Sequence, residues 1–226
     1  MSERHNERQP EQQPEQQAEQ QAERATPQPQ RLSLRSNRVL LVATGSIMVA
    51  HLPTHLTWVR HQQPSLEVQV VLTRSAGQFV SKEALHMISG RPVLDDAWEP
   101  GADTSGARHV EWSRWAELAV VWPATMHYTA RLALGLADSP SLLALHCTGA
   151  PVGVAPSLPP GGWQSAAMSG HVAALEARPG VKVIPPVPGL SWTTKKLDSW
   201  LCPPLGAVLR DLDEWAHDRE VADERL

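Results

Sequence analysis

The sequence predicts an α/β protein built on a doubly wound parallel sheet, and three observations support this prediction. Apolar runs without polar alternation, such as residues 38–43, are typical of strands buried on both faces of a parallel sheet. These runs alternate with segments of helical character, which favours parallel pairing through right-handed crossovers. Several runs end on short turns of small and hydroxyl-bearing residues, where open α/β sheets bind ligands. We therefore expect a three-layer αβα sandwich with a binding site at one sheet edge.

The predicted elements follow one another as strand, small-residue turn and helix. The helix that follows the second strand should stop at Gly90, ahead of Pro92. Residues 95–106 are rich in Asp, Pro and Gly and predict a loop. The predicted strands cover 38–43, 68–73, 118–122, 151–155 and 181–184, and the predicted helices run to about 61 and over 78–89, 129–137, 165–177 and 205–219.

Length and composition predict one folded domain with a polar extension. The chain has 226 residues, of which 42% are hydrophobic, enough for a substantial core. Residues 10–21 form a Glu/Gln repeat without aliphatic residues, which cannot offset the entropy of ordering it. We expect a disordered tail over 1–36, more typical of a solvated extension than of a docking segment, and a domain over 37–226.

Charge, hydropathy and cysteine content disfavour several functions. The net charge is -4 and no basic cluster is present, which argues against nucleic acid as a partner. No apolar run of bilayer-spanning length and no secretory signal is found, so we expect a cytoplasmic protein without membrane contact. Cys147 and Cys202 have neither disulfide nor zinc spacing, which predicts no metal and two buried, reduced thiols.

Three strand-end loops carry the candidate cofactor site. Thr44–Ile47 could hold a phosphate through hydroxyl and N–H groups, although a tight turn with Ser46 as helix cap explains the same residues. The loops after the second and third strands have similar hydroxyl-rich or small residues, and all three should meet at one sheet edge. The usual dinucleotide and nucleoside-triphosphate motifs are missing, so a single flavin phosphate with an apolar ring site fits better.

His109 is a candidate general base. It follows the long loop and precedes the third core strand by a short span, which could bring its imidazole to the same edge. A histidine beside a cofactor ring can accept a proton at neutral pH. Judged alone, His109 is better explained as a surface or capping residue among the ten histidines of the chain.

Taken in order, five segments resemble the homo-oligomeric flavin-containing cysteine decarboxylases, a family that includes peptidyl-cysteine decarboxylases of lantibiotic and related pathways and phosphopantothenoylcysteine decarboxylase. These segments are Leu40–Ile47, Val71–Val80, Ile88–Val93, His109–Trp112 and Pro123–Thr125. The resemblance implies a Rossmann-like, flavodoxin-like subunit, FMN as cofactor, His109 as the essential histidine, and homotrimers that can form homododecamers. The cofactor-binding residues it implies are Thr44, Gly45, Ser46, Ile47, Thr73, Ser75, Phe79, Pro123, Ala124 and Thr125.

Two segments depart from the pattern of this family. Its Pro-Ala-Ser-Ala-Asn-Thr loop corresponds to Pro123–Tyr128, which places His127 where an asparagine contacts flavin and substrate carboxylate. Its Pro-x-Met-Asn-x-x-Met-Trp motif corresponds to a segment that keeps Pro156 and Trp163 and loses the asparagine. His127 can still donate a hydrogen bond to a carboxylate, and Trp163 can pack against substrate or serve as a subunit-interface anchor. The substrate-binding residues expected from the resemblance are His127, Pro156, Leu158 and Trp163.

The resemblance implies oxidative decarboxylation of a C-terminal cysteine in a ribosomally made precursor peptide. Oxidation of the cysteine side chain by FMN gives a thioaldehyde, loss of carbon dioxide gives an enethiol, and the enethiol then enters an aminovinyl-cysteine ring. Other modifying enzymes of the pathway are expected partners.

Three other activities of the family are alternatives. The first is phosphopantothenoylcysteine decarboxylase, in which a cysteine of a C-terminal flap acts on the intermediate; Cys202 lies in the matching region, but Pro203 and Pro204 replace the expected flap residues. The second is a non-catalytic flavin-binding regulatory subunit, which the presence of His109 disfavours. A flavin prenyltransferase is disfavoured because nothing resembles a prenyl-phosphate site.

Overall fold

The centre of the molecule is a six-stranded parallel sheet. The computed structural model describes residues 31–98 and 107–223 of the chain. The strand order is β3-β2-β1-β4-β5-β6, so the chain reverses its direction of winding between β1 and β4. This is the point at which doubly wound sheets open a crevice at their carboxyl edge. The strands are β1 Arg38–Ala43, β2 Glu67–Leu72, β3 Leu94–Asp95, β4 Leu118–Ala124, β5 Val152–Pro156 and β6 Val181–Val183.

Helices cover both faces of the sheet, which confirms the predicted fold class. A 3₁₀ helix over Ile47–His51 precedes α1, and a second one over Ala76–Gln78 precedes α2. The α-helices are α1 Leu52–Gln62, α2 Lys82–Ser89, α3 Arg108–Trp115, α4 Met126–Ala133, α5 Pro140–Cys147, α6 Ala166–Glu176 and α7 Leu205–Asp223.

Each face of the sheet has its own hydrophobic core. Val39 and Leu41 of β1 point into a core shared with α1, α2 and α7, whereas Leu40 and Val42 point into a core shared with α3, α4, α5 and α6. Successive side chains of a strand point to opposite faces, so apolar residues are needed at every position of β1. This double burial explains the continuous apolar runs in the sequence.

Ordered packing begins earlier than the predicted domain boundary at residue 37. Leu32 and Leu34 are buried in the core formed by α1, α2 and α7. The Nε2 of Gln63 donates to the carbonyl oxygen of Leu34 at 3.2 Å, and the side chain of Asp213 accepts from the backbone N–H of Arg35 at 3.1 Å. The segment from residue 32 is therefore part of the domain. The remainder of the predicted tail, residues 1–30, lies outside the described residues.

The predicted bounds of helices α2 and α4 are wrong, and local capping explains the difference. α2 begins at Lys82 instead of residue 78, since the hydroxyl of Ser81 accepts the N–H of Ala84 at 3.3 Å. α4 begins at Met126, three residues before its predicted start, and ends before Gly135, whose φ of 76° lies in the left-handed region that favours glycine.

Helices α3 and α5 were not predicted. α3 buries only Trp112, so its sequence has little apolar periodicity. α5 is buried on several sides, so its apolar residues do not form one stripe. Most of the predicted loop over 95–106 lies outside the described residues, although Asp95 belongs to β3.

A small antiparallel hairpin follows the main sheet. Its strands are β7 Val187–Gly189 and β8 Ser199–Leu201. Trp200 of β8 exchanges two backbone hydrogen bonds with Leu158, at 2.7 and 3.0 Å, which fixes the hairpin beside the end of β5. The sequence prediction left this region without strands.

Neither a membrane-spanning helix nor a metal-binding cluster is found among the described residues. No helix there combines the length and the apolar character that crossing a lipid bilayer requires. The described part of the chain also contains no group of three or more His, Cys, Asp or Glu side chains arranged to hold a metal ion.

Candidate active site

The ends of β1 and β4 are joined by Thr44. Its hydroxyl donates to the carbonyl oxygen of Pro123 at 2.6 Å and accepts the N–H of Thr125 at 2.8 Å. Its own N–H donates to the same Pro123 oxygen at 3.3 Å. Because Thr44 is buried, these bonds hold the two strand-end loops in a fixed relation. The predicted cofactor residues Thr44 and Pro123 therefore hold together a floor beneath these loops, although neither they nor Ala124 line the cavity above it.

A cavity of about 580 Å³ opens above this floor. It lies between the carboxyl ends of β1, β4 and β5 and the β7–β8 hairpin, and its volume is typical of a small-molecule site. Its lining residues are Gly45, Ser46, Ile47, Thr125, Met126, His127, Ser157, Leu158, Pro159, Pro160, Leu190, Ser191, Trp192, Thr193, Thr194, Ser199 and Leu201. Six of the predicted site residues thus meet here: Gly45, Ser46, Ile47, Thr125, His127 and Leu158.

The cavity combines an apolar surface with a row of hydroxyl groups. The hydroxyls of Ser46 and Ser157 lie 2.9 Å apart, which links the ends of β1 and β5. Thr125 caps α4 by accepting the N–H of Tyr128 at 3.3 Å. The first N–H groups of α4 have no intrahelical acceptor and point toward the loop, a favourable environment for an anion. Of the lining residues that the structure describes, His127 is the one with an ionisable side chain.

The loop after β2 supports the cavity from outside. The N–H of Thr73 donates to the carbonyl oxygen of Ala43 at 3.1 Å, and Gly45 is so close to Ser75 that a Cβ on Gly45 would lie 2.4 Å from the Cβ of Ser75. Thr73, Ser75 and the exposed Phe79 do not line the cavity of their own chain. Their assignment to the cofactor stays a prediction.

His109 also lies outside the cavity of its own chain. It belongs to the first turn of α3, and its ring meets the edge of Trp98 at a centroid distance of 5.9 Å. Its Nδ1 is buried and has no hydrogen-bond partner within the described residues. The indole N–H of Trp98 donates to the carbonyl oxygen of Asp138 at 3.2 Å, which anchors Trp98 to the loop between α4 and α5.

Two predicted substrate residues lie elsewhere. Pro156 ends β5 and is buried below the cavity. Trp163 packs against the core under α6 and lines a separate groove of about 460 Å³ with Val172 and Glu176. The expectation that Trp163 touches substrate stays a prediction, and its place beside an open groove suits the alternative of an interface anchor.

The two cysteines differ from each other. Cys147 is exposed at the end of α5, so the prediction that it is a buried thiol is wrong. Cys202 is 4% exposed, and burial raises the pKa of its thiol to about 12. Along the hairpin, Ser199 and Leu201 face the cavity, whereas Cys202 packs in the core shared with α1 and α7.

The sequence reasoning missed the wall that the hairpin contributes. Leu190, Ser191, Trp192, Thr193, Thr194, Ser199 and Leu201 all line the cavity, yet none was predicted as a site residue. The signal in the sequence was the run of hydroxyl-bearing residues around Trp192, Ser191 to Thr194. That pattern becomes informative only once β8 is known to pair with the end of β5.

Comparison with known proteins identifies the family. The Flavoprotein family model matches residues 27–200, and the chain belongs to this family. This result confirms the family predicted from the sequence, that of the flavin-containing cysteine decarboxylases.

Three relatives illustrate the range of the family. Cypemycin cysteine dehydrogenase (decarboxylating) from Streptomyces is 35% identical over 154 residues, which cover 65% of this chain and 75% of that protein. A crystal structure of the cypemycin decarboxylase CypD has a TM-score of 0.65 with 27% identity, covering 80% of this chain and 94% of that one. The FMN-dependent cysteine decarboxylase TvaF from thioviridamide biosynthesis has a TM-score of 0.59 with 27% identity, covering 66% and 90%.

Another relative is much longer than this chain. The coenzyme A biosynthesis bifunctional protein CoaBC of Vibrio vulnificus is 32% identical over 157 residues. These residues are 70% of this chain and only 38% of that protein.

Proposed function

We propose that the protein is an FMN-dependent decarboxylase that oxidises and decarboxylates the C-terminal cysteine of a ribosomally synthesised precursor peptide. The observation that carries this proposal is the cavity at the β1–β4 switch point, in a chain of the Flavoprotein family. One relative in sequence is named as a decarboxylating cysteine dehydrogenase, and one relative in structure is named as an FMN-dependent cysteine decarboxylase. The product is an enethiol, and addition of its sulfur to an electrophilic alkene, such as a dehydroamino acid, is the class of reaction that would consume it.

The residues of the cavity fit FMN. Ser46 and Thr125 offer hydroxyl groups, and the start of α4 offers free N–H groups, a donor set that suits a phosphate or a ribityl chain. Ile47, Met126 and Leu158 offer an apolar surface that suits the flat ring system. When bound, FMN supplies an acceptor for the two electrons removed from the cysteine side chain.

The chain itself would bind and orient the substrate. His127 is the lining group that can donate a charged hydrogen bond to the terminal carboxylate, in place of the asparagine of the family pattern. Trp192 and Leu201 would exclude water around the thiol, which strengthens the polar contacts inside the cavity. Loss of two hydrogens and of carbon dioxide then leaves the enethiol.

His109 is the proposed base, and its position requires a second copy of the chain. A general base must come within hydrogen-bond reach of the proton it accepts. Since His109 does not line the cavity of its own chain, we infer that it serves the cavity of a neighbouring copy in a homotrimer.

Cys202 favours the peptide reaction over phosphopantothenoylcysteine decarboxylation. A flap cysteine that acts on the intermediate has to reach the cavity and exchange a proton. The Cys202 side chain is 4% exposed and packs away from the cavity, and burial raises its thiol pKa to about 12. The electron pair removed from the substrate would then not be returned to it, so the net change is loss of carbon dioxide and two hydrogens.

Mass spectrometry of the reaction products tests this proposal. The purified protein, loaded with FMN, is incubated with peptides that end in cysteine and, separately, with phosphopantothenoylcysteine. We expect the peptides to lose carbon dioxide plus two hydrogens. Loss of carbon dioxide alone from phosphopantothenoylcysteine, with no change in any peptide, would contradict the proposal. Failure to bind FMN would contradict it as well.

Complementation between two inactive variants tests the role of His109. His109→Ala keeps the cavity intact, and Ser157→Trp fills the cavity while keeping His109. When equal amounts are refolded together, half of the cavities are open and half of the neighbours carry His109, so about a quarter of wild-type activity should return in a cyclic assembly. No recovery from the mixture would mean that His109 does not act across subunits.

A further inference from the structure

Two consecutive lysines lie at the tip of the hairpin that closes the cavity. Trp192 lines the cavity and is 60% exposed, so it stands at the opening. The Nζ of Lys195 lies 5.7 Å from the centroid of the Trp192 ring. A cation over an aromatic face is attracted by the ring, which holds the ammonium group near the opening. Lys196 follows directly in the chain and is also exposed.

The tip is an ordered turn. The N–H of Ser191 donates to the carbonyl oxygen of Lys196 at 2.8 Å, and the N–H of Lys195 donates to the carbonyl oxygen of Ser191 at 2.9 Å. Lys195 has a φ of 59°, a left-handed conformation that non-glycine residues adopt only when their surroundings impose it. The two ammonium groups are therefore presented from a defined backbone next to the cavity.

These lysines differ from the other two in the chain. Lys82 forms an ion pair with Asp95, and Lys182 forms one with Asp211 at 2.7 Å. Within residues 31–98 and 107–223, neither lysine of the tip is paired with a carboxylate. The acidic residue of the tip, Asp198, accepts a hydrogen bond from the hydroxyl of Thr194 at 2.7 Å. The tip therefore keeps a net positive charge.

The cavity next to this positively charged tip is, in contrast, lined mainly by uncharged side chains. Among the residues that the structure describes, its lining contains no lysine, arginine, aspartate or glutamate, and the one ionisable side chain is His127. A substrate whose thiol end fills the cavity and whose outer part runs along the hairpin would meet the charges of Lys195 and Lys196 beside Trp192. Charges at such a rim act on selection and on the rate of encounter.

We propose that the hairpin tip, Trp192 with Lys195 and Lys196, selects substrates that carry a negative charge just outside the cavity. This inference rests on the proposed function and specifies its substrate class. The recognised chemistry is an anionic oxygen group, which an acidic side chain upstream of the terminal cysteine or a phosphate monoester could supply.

The test compares substrates that differ by one charge. A series of cysteine-terminated peptides carries a single glutamate at successive positions before the cysteine, each paired with its glutamine counterpart. For at least one position we expect kcat/KM to be about three- to tenfold higher with glutamate, as two exposed ion pairs allow. The preference should fall toward unity in the double variant Lys195→Ala/Lys196→Ala and at high salt. Lys82→Ala removes the same charge away from the cavity and should keep the preference.

A second arm distinguishes the two sources of the anion. Phosphopantothenoylcysteine and its dephosphorylated form replace the peptide pair, and a preference found only there assigns the tip to a phosphate. Equal turnover of every charged and neutral pair by the wild type would overturn the proposal while leaving the decarboxylase activity in place. Loss of bound FMN from the double variant would also overturn it, because the lysines would then serve the cofactor.

Failure of the proposed function gives a different pattern. If none of the substrates is turned over, the binding of fluorescently labelled glutamate and glutamine peptides still reports on the tip. Tighter binding of the glutamate peptide, lost in the double variant and kept in Lys82→Ala, supports the tip independently of catalysis. Equal binding of both peptides refutes it.

Discussion

Replacing Gly45 with alanine tests whether the loops after β1 and β2 must touch for the cofactor site to form. A Cβ at position 45 would lie 2.4 Å from the Cβ of Ser75 and 3.3 Å from its carbonyl carbon. Favourable carbon contacts have separations of about 3.5–4.0 Å. The Cβ of Ser75 is bonded directly to its backbone and cannot rotate away, so one of the two loops has to move.

The cost of this movement can be bounded. Overpacking by one methyl group in a tight site costs about 1–3 kcal/mol. For a domain of this size each kcal/mol lowers Tm by about 2–4 °C, so Gly45→Ala should lower Tm by about 2–12 °C. The same displacement moves Ser46 and Ile47, and we therefore expect weaker FMN retention, measured by flavin absorbance after gel filtration. Gly77→Ala is the matched control, because no atom lies within 4 Å of a Cβ added there.

A second substitution tests the cause directly. Ser75→Gly removes the atom that the new methyl group would meet, so Gly45→Ala/Ser75→Gly should recover most of the stability that Gly45→Ala loses. In a double-mutant cycle the two positions should show a coupling of about 0.5–3 kcal/mol. The reasoning fails if Gly45→Ala melts at the wild-type temperature with its flavin bound, or if Ser75→Gly brings no recovery.

Three further predictions concern the supports of the site. Thr44→Val leaves an N–H of the β4 loop without its acceptor and should cost about 1–3 kcal/mol in urea unfolding, whereas Thr44→Ser should stay near wild type; equal losses would contradict this role of the hydroxyl. Trp122→Phe removes the indole N–H that donates to the Pro203 carbonyl oxygen at 2.7 Å and should cost about 1–2 kcal/mol in the same assay; an unchanged midpoint would disprove it. Burial, and then repulsion from His51, lower the pKa of His55 below 6.5. As the pH falls, the unfolded chain therefore binds this proton before the folded protein does. Stability that is present above pH 6.5 is lost as the pH falls through the folded pKa. His55→Gln should therefore reduce the loss of unfolding free energy between about pH 7 and pH 5, and an unreduced loss would refute this assignment.

The sequence predicted those parts of the fold that local pattern determines. The strands β1, β2 and β4 lie within two residues of their predicted bounds, because burial on both faces requires an apolar residue at every position. The hairpin was missed for the opposite reason. β7 and β8 have three residues each, and they are positioned by contact with Leu158, some forty residues away in the chain. No local periodicity encodes a pairing of that kind.

The residues of the candidate site show the same difference between what local pattern predicts and what long-range contacts decide. Gly45 and Thr125 could be predicted because they follow buried strands whose carboxyl ends must share one edge of a parallel sheet. His109 could be associated with that edge only through the family resemblance, and the structure places it outside the cavity of its own chain. On the proposed function, the sequence supplies the base, but the cavity in which it would act depends on how copies of the chain assemble.

The uncharged cavity and the charged hairpin tip together suggest how the chain can be selective without the asparagines of the family pattern. Inside the cavity, His127 is the one ionisable side chain of the described lining, and it can donate a hydrogen bond to a carboxylate. An isolated charge is costly to bury without a partner, so strong anion recognition is easier to build at the solvent-exposed rim than in the interior. Lys195 and Lys196 lie at that rim, on a turn fixed by its own backbone hydrogen bonds. Substrate choice in this chain would thus depend on the hairpin, and the carboxylate contact on His127.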